Sequence, residues 1–361
     1  MRKLYSSAAA SAVIALCSSF SVAGLAHAQD AEATGGSQIG DIVVTAQRRA
    51  TSLQDTPIAM SAFAGDTLEE RGIDDLSNLQ AYVPNLNIGQ EQDGFKISLR
   101  GIGLQGTSTI SDSGVAFYID GFYIGRPAGG SAVFYDIDRI EVLRGPQGTL
   151  YGRNATGGVI NVISEAPSDE FSGQVGFSYG SRNLMEARGT INVPMGEHVA
   201  ARVSAVYTEE EGYVENLSTA PGTDDFHGTD GDLTIRGQLA FGDADRTQLL
   251  LYGLYSDLNG TGTAMHYLER NIGGPPPTQA LLATMPPDIR DPLTVNNDAP
   301  AYNETETQMW FARFSHDLGP ADFVFQAGAL DQTARVQQDF DSSPINISIF
   351  NKDQENEAQT A

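Results

Sequence analysis

The side chains that most often carry catalysis are scattered along this 361-residue sequence. No two of the five histidines stand at the i, i+4 spacing of a helical metal-binding pair. We find no GxSxG, HExxH or Walker motif, and the single cysteine excludes four-cysteine zinc sites. We therefore predict no catalytic residue, no resident metal ion and no cofactor bound by the protein itself, and hence no enzyme.

One glycine-rich motif is present, because residues 101–106 read GIGLQG and match the dinucleotide fingerprint. Asp120 even lies near the position where that fingerprint expects an acidic residue. The fingerprint requires a helix that starts in the loop, so that its N-terminus holds the pyrophosphate. Residues 107–114 are rich in Ser, Thr and Gly and too few for such a helix, so we interpret the match as coincidental.

Carboxylates are concentrated between residues 209 and 232, a stretch that contains no Lys or Arg. The plain interpretation is a solvated loop; the alternative is an anionic vestibule that concentrates cations by its field. No EF-hand spacing occurs there. The acidic residues of this segment are Glu209, Glu210, Glu211, Glu215, Asp224, Asp225, Asp230 and Asp232.

The net charge of the chain, −25 from 46 acidic and 21 basic residues, disfavours nucleic acid as a partner. Residues 1–28 have the features of a secretory signal: Arg2 and Lys3, a small apolar stretch, and an Ala26-His27-Ala28 cleavage site. After this segment no apolar run reaches the roughly 20 residues of a transmembrane helix. If the exported chain enters a membrane, we expect it to do so as a β-barrel.

The elements that must position any site fall into three parts. Residues 42–46 are a short β-prone run, which is either an edge strand of the next domain or a peptide that adds to another protein's sheet. Residues 53–167 predict a compact α+β domain, with helix-like spacing over 66–82 and a hairpin turn at Asp120-Gly121. Its short strands are expected at 97–99, 115–119, 137–143 and 159–163.

From residue 168 onward, apolar and polar residues alternate with a period of two over longer segments. After a short first link, the connections alternate between short (194–198, 242–245, 318–321) and long (209–231, 258–305). A soluble sandwich would also give one apolar face, but alternating loop lengths are typical of outer-membrane barrels. The predicted strands are 171–179, 185–193, 199–207, 233–241, 246–257, 306–317 and 321–334, with the start of an eighth at 345–361.

Residues 139–163, which read RIEVLRGPQGTLYGRNATGGVINVI, and residues 120–123, DGFY, closely resemble the TonB-dependent outer-membrane receptors. The resemblance implies a signal peptide at 1–28, a TonB box and linker at 29–52, and an α+β plug domain at 53–167. Residues 168–361 are then the N-terminal part of an antiparallel transmembrane β-barrel. In this family the barrel has about 22 strands and surrounds the plug, whereas this chain contains about seven to eight.

The resemblance also implies a function in the outer membrane of a Gram-negative bacterium. Such a receptor imports a scarce nutrient, most often a ferric siderophore, and its cargo here would be a chelated Fe(III). Its partners would be outer-membrane lipid, the small-molecule metal chelate and TonB with its inner-membrane energising complex. TonB would grip the box, for which the matching residues are Asp41, Ile42, Val43, Val44, Thr45 and Ala46.

Two further sets of residues follow from the resemblance. The first set would lock the plug to the barrel wall by charge pairs, and comprises Arg100, Glu141, Arg144 and Arg153. The second set stands in or beside plug loops and would contact the ligand, and comprises Gln105, Thr107, Ser108, Tyr123 and Arg126. The segment 258–305, with three consecutive prolines, would be an outer loop that covers the ligand.

The length of the chain departs from the family, because about 22 strands need roughly 400–500 residues. We therefore expect an N-terminal fragment of a longer receptor, which should not transport on its own. Cobalamin, haem, a saccharide or an aromatic compound stay open as alternative cargo. A signalling receptor is a further alternative, disfavoured because its extra domain would have to fit into residues 29–40, and a soluble plug-like binding module is another.

Overall fold

The computed structural model describes residues 42–46, 51–73, 75–91, 94–103, 113–125, 134–264, 291, 293–339 and 349–360. The chain begins there with a small antiparallel hairpin of β1 (Val43–Val44) and β2 (Thr51–Ser52). Val43 lies opposite Ser52, and Val44 lies opposite Thr51. The β-prone run therefore has a local strand partner, which the sequence pattern did not reveal.

The plug follows as an α+β domain built on two sheets. A five-stranded sheet has the order β3-β9-β10-β7-β8, and a three-stranded sheet has the order β4-β5-β6. In chain order the elements are β3 (Met60–Ala64), α1 (Gly65–Glu70), α2 (Leu76–Leu79), β4 (Leu86–Glu91), β5 (Gly94–Leu99), β6 (Ile102–Gly103), β7 (Val115–Ile119), β8 (Phe122–Ile124), β9 (Ile137–Arg144), α3 (Gly148–Tyr151) and β10 (Gly158–Ser164).

Local sequence chemistry accounts for the breaks between these elements. The helical stretch predicted over 66–82 is two short helices, because Gly72 between them adopts a positive φ of 62°. The predicted hairpin turn between β7 and β8 is confirmed, with positive φ at both Asp120 (51°) and Gly121 (76°). Within the described part of the chain, no helix is long and apolar enough to span a membrane.

The second half of the chain is one antiparallel sheet of eight strands, in the order β11-β12-β13-β15-β16-β18-β19-β20, beside a short parallel pair of β14 and β17. We call this sheet the barrel wall. Its predicted strands and its alternation of short and long connections are confirmed. The strands are β11 (Ser172–Tyr179), β12 (Met185–Pro194), β13 (Val199–Glu210), β14 (Glu215–Asn216), β15 (Thr229–Asp243), β16 (Thr247–Gly260), β17 (Thr294–Val295), β18 (Tyr302–Asp317), β19 (Asp322–Asp339) and β20 (Ile349–Thr360).

The two faces of the wall have opposite chemistry. Apolar residues of the outer face are exposed, and Val175 and Phe177 reach 77% and 69%. On the inner face of β15, Thr234, Arg236 and Gln238 are buried. Exposed apolar and enclosed polar side chains are expected of a sheet that faces lipid on one side and a filled lumen on the other.

The core of the plug continues into the barrel wall. Phe122 of β8 belongs to the same cluster of buried apolar residues as Leu250, Tyr252 and Phe311 of the wall. The Phe122 ring stacks on Phe311 at a centroid distance of 5.9 Å, and Phe311 stacks on Tyr252 at 4.5 Å. The β8 edge of the plug sheet is therefore bound to the wall by direct packing, while β3 forms the opposite edge of that sheet.

Candidate functional site

The hairpin of β1 and β2 leaves one backbone edge of the predicted TonB box facing away from β2. The Leu53 amide donates to the Ile42 carbonyl at 2.9 Å, so the backbone groups of Ile42 and Val44 point towards β2. Because backbone groups alternate sides along a strand, those of Val43 and Thr45 point the other way. An incoming strand would pair with this second edge.

The box lies on the plug rather than apart from it. The side chains of Val44 and Ala46 are fully buried, whereas Val43 is 51% exposed. They pack with Leu143, Tyr151 and other apolar residues of the plug face. The Tyr151 hydroxyl also donates to the Ala46 carbonyl at 3.2 Å.

A buried carboxylate holds the other edge of the box. Glu141 Oε1 accepts from the Thr45 amide at 2.7 Å and from the Thr45 hydroxyl at 3.1 Å. Arg139 Nε donates to the same oxygen at 2.9 Å, and Arg139 Nη2 donates to the Thr45 hydroxyl at 3.3 Å. Glu141 is fully buried, and its second oxygen, Oε2, has no hydrogen-bond partner among the residues that the structure describes.

The structure thus gives Glu141 different partners from the predicted ones. Its hydrogen bonds in the described part of the chain run to Thr45 and Arg139 and not to the barrel wall, because β9 presents this side chain to the plug face that carries the box. Arg144 is half-buried and donates to the Met60 carbonyl inside the plug at 3.4 Å. Arg100 and Arg153 are exposed. For these three arginines, locking to the barrel stays a prediction.

Charged contacts between plug and wall do occur, but with other residues. Asp136, just before β9, pairs with Arg202 of β13 through Nη2 and through Nε at 3.0 Å. Arg236 of β15 lies 3.6 Å from the same carboxylate and donates to the backbone carbonyls of Tyr135 and Asp136. Here the plug supplies the carboxylate and the wall supplies the arginines, and none of these residues is in the predicted locking set. We call this group the Asp136 clamp.

A second polar contact lies at the turn between β7 and β8. Arg313 of β18 donates to the backbone carbonyl of Asp120, and the Arg313 Nε donates to Gln326 Oε1 at 3.2 Å. The Asp120 side chain accepts from the Ser164 amide at 2.9 Å and from the Ser164 hydroxyl at 2.7 Å. The turn that joins the plug hairpin is therefore tied to the wall and to the end of β10 together.

Sequence reasoning missed all of these plug–wall residues. The only signal was the inward position of Arg202 and Arg236, which alternate with outward apolar residues along their strands. A carboxylate such as Asp136 looks like an ordinary loop residue until its partners are known.

Burial at this junction also changes proton affinities. Desolvation raises the pKa of the Glu165 carboxyl, and Arg202 opposes that shift. Burial likewise raises the pKa of the Tyr135 hydroxyl, which accepts a hydrogen bond from Thr190 of the wall at 3.0 Å. The Glu165 backbone carbonyl accepts from Gln238 at 2.9 Å, so the segment leaving the plug is held by the wall.

Of the predicted ligand-contact residues, the structure describes Tyr123. Gln105, Thr107, Ser108 and Arg126 lie outside the described residues, as does Asp41 of the box. Tyr123 is described: its hydroxyl accepts from Asn154 Nδ2 at 2.7 Å, and its ring packs edge-on against Tyr118 at 5.5 Å. A ligand-contact role for these residues stays a prediction.

Several carboxylates of the acidic loop have local partners. Arg182, from the connection between β11 and β12, pairs with Glu210, and Asn183 donates to Glu211 at 2.8 Å. The Asp225 carboxylate accepts the Asn216 amide at 2.8 Å. Among the residues the structure describes, no cluster of His, Cys, Asp and Glu could hold a metal ion. The vestibule hypothesis stays a prediction, with part of its charge already paired.

Residues 52–159 match the family model described as the TonB-dependent Receptor Plug Domain. Residues 52–159 are therefore a plug domain of the TonB-dependent receptor type. Over 159 residues the chain is 35% identical to the "Iron-regulated outer membrane virulence protein" of Vibrio cholerae, covering 42% of this chain and 24% of that protein. Over 203 residues it is 30% identical to the "Vitamin B12 transporter BtuB" of the same species, covering 54% of this chain and 32% of that protein.

Solved structures agree with the fold. The ferric yersiniabactin uptake receptor FyuA of Yersinia pestis superposes with a TM-score of 0.67 at 20% identity, covering 84% of this chain and 44% of that one. Identity this low supports the plug-and-barrel architecture alone. The chain spans about a quarter to a third of the length of the two curated relatives. These matches support a location in the outer membrane of a Gram-negative bacterium, where the exposed apolar face of the wall would face lipid.

Proposed function

We propose that the receptor containing this chain imports a ferric siderophore, with energy delivered by TonB through residues 41–46. The observation that carries the proposal is the backbone edge at Val43 and Thr45 that β2 leaves unpaired, on a strand docked against the plug. Strand addition there would distribute a pulling force over several main-chain hydrogen bonds, which need no particular side chains. The outer membrane has no ATP. The energy that moves the cargo would therefore arrive through a mechanical link from TonB to the plug.

Val43 offers the sharpest test of TonB docking. Val43→Pro removes one N–H from the edge that faces away from β2, while the hydrogen bonds of Ile42 and Val44 to β2 remain. We expect this variant to lose binding of the TonB C-terminal domain and to abolish uptake. Val43→Ala keeps the N–H and serves as the matched control. Normal binding and uptake by Val43→Pro, with the receptor present at normal level in the membrane, would contradict the assignment of the box.

Cobalamin is the second candidate cargo, favoured by the likeness to the vitamin B12 transporter. Both cargoes are metal chelates, so binding to the purified receptor should be compared for a panel of ferric siderophores and for cyanocobalamin. Tight binding of one ferric siderophore without binding of cyanocobalamin supports the proposal. The reverse result replaces the cargo but leaves the role of the box intact.

A further inference from the structure

We propose that Glu141 guards the backbone edge of the box that faces away from β2, and so sets how readily TonB can pair with that edge. This inference rests on the proposed function of residues 41–46 as the docking strand. Both backbone edges of the box are occupied in the structure: β2 takes one, and the Glu141 carboxylate takes the Thr45 amide on the other. A strand cannot add to the second edge until this carboxylate has been displaced from the Thr45 N–H.

The hydrogen bonds of the Glu141 carboxylate can hold the box in place and can also be broken when the box is released. A hydrogen bond from an amide to a charged acceptor is stronger than one between neutral groups. The same oxygen receives three donors, from the Thr45 amide, the Thr45 hydroxyl and Arg139. The other oxygen, Oε2, is buried and has no partner within the described part of the chain, so the carboxylate is desolvated without being fully hydrogen-bonded there. The hydrogen bonds of Glu141 hold the box in the docked state. The desolvation of its carboxylate costs free energy, which is recovered when the box is released.

The contact with Glu141 also indicates a role for the Thr45 side chain in docking the box. TonB needs only backbone groups of the box, whereas Glu141 binds both the amide and the hydroxyl of Thr45. The hydroxyl therefore serves the docked state rather than the complex with TonB. A box with valine at position 45 should leave the plug more readily and still pair with TonB.

A buried thiol reports release of the box without any need for TonB. Val44 is fully buried in the docked box, and the only cysteine of the sequence, Cys17, lies in the predicted signal peptide. Val44→Cys in the receptor in outer-membrane vesicles opened to the periplasmic side can then be labelled with a maleimide. In this background, Glu141→Leu should raise the labelling rate at least about tenfold, and Thr45→Val about threefold, because they remove different numbers of hydrogen bonds.

Asp75→Ala is the matched control, because the Asp75 carboxylate also accepts a backbone amide at 2.7 Å, from Asn78, at the start of α2 and away from the box. It should label at the rate of the parent. Labelling of Glu141→Leu and Thr45→Val at the parental rate, or an equal rise in all three variants, would overturn the inference. If Glu141→Leu does not fold, the comparison of Thr45→Val with Asp75→Ala decides.

Binding of the TonB C-terminal domain to the same preparations separates this inference from the function beneath it. Faster labelling together with tighter TonB binding by Thr45→Val supports both. Faster labelling with no TonB binding in any variant, the parent included, rejects the docking role of the box but keeps its restraint by Glu141. Unchanged labelling with normal TonB binding rejects the guard and keeps the docking role.

Discussion

Replacing Asp136 by asparagine keeps the shape of the side chain but removes the charge that faces Arg202 and Arg236. Asparagine also tolerates the positive φ of 56° at this position, so backbone strain is not added. The side chains of Asp136 and Arg236 are only 7% and 4% exposed, so the substitution leaves an arginine buried without its counter-charge. Breaking one partner of a buried ion pair costs about 3–5 kcal/mol.

The lower end of that range applies, because Arg236 keeps two backbone carbonyls as acceptors. A loss of about 3 kcal/mol corresponds to a shift of roughly 150-fold in the equilibrium between docked and undocked plug. Val162→Cys supplies the reporter, because Val162 is fully buried in the plug core. Its thiol labelling, followed against urea concentration in the purified receptor, gives the free energy of opening.

A double-mutant cycle with Arg202→Gln isolates the pair from other effects. We expect a coupling energy of at least about 1.5 kcal/mol between Asp136 and Arg202. Asp138→Asn is the control, because that neighbouring carboxylate is 47% exposed and should cost no more than about 0.5 kcal/mol. A coupling energy near zero, or equal losses for Asp136→Asn and Asp138→Asn, would refute the clamp.

Two further predictions follow from the plug. Gly158→Ala should prevent normal packing of the plug, since a Cβ there would lie 2.3 Å from the Leu143 carbonyl oxygen. Gly152→Ala has open space around its Cβ and a φ of 77°, so it should lower the free energy of unfolding by only about 1–2 kcal/mol. Urea unfolding of the two variants compares these losses. Glu165→Gln should stabilise the plug at neutral pH. Because the pKa of the Glu165 carboxyl is raised in the folded state, its contribution to stability is greatest at low pH and falls as the pH rises past the unfolded pKa of about 4.3. The substitution should make the free energy of unfolding fall less steeply between pH 4 and pH 7. An unchanged pH dependence would contradict this prediction.

Local patterns were sufficient for most of the secondary structure. Strands of the wall follow from the alternation of apolar and polar residues, because successive side chains of a strand point to opposite faces. The turn at Asp120-Gly121 follows from residues that accept positive φ. These signals lie within a few residues of one another, so no knowledge of distant contacts was needed.

Local sequence patterns could not reveal β2, the strand that pairs with the box. β2 has two residues, Thr51 and Ser52, and ordinary loop composition. Its pairing depends on the plug surface beneath it, where Val44 and Ala46 are buried. Short strands of this kind are stabilised by tertiary contacts and leave no periodic pattern in the sequence.

The sequence by itself indicated the resemblance to TonB-dependent receptors, the order of plug and barrel strands, and which residue types face inward along each strand. Only the tertiary structure decided which charges meet: Glu141 reaches Thr45, 96 residues away, and Asp136 reaches Arg202, 66 residues away. Such pairs depend on how the plug sheet is seated in the wall and on the register of each strand. A motif can identify Glu141 as a residue of the plug, but its burial against the box is a property of the assembled fold.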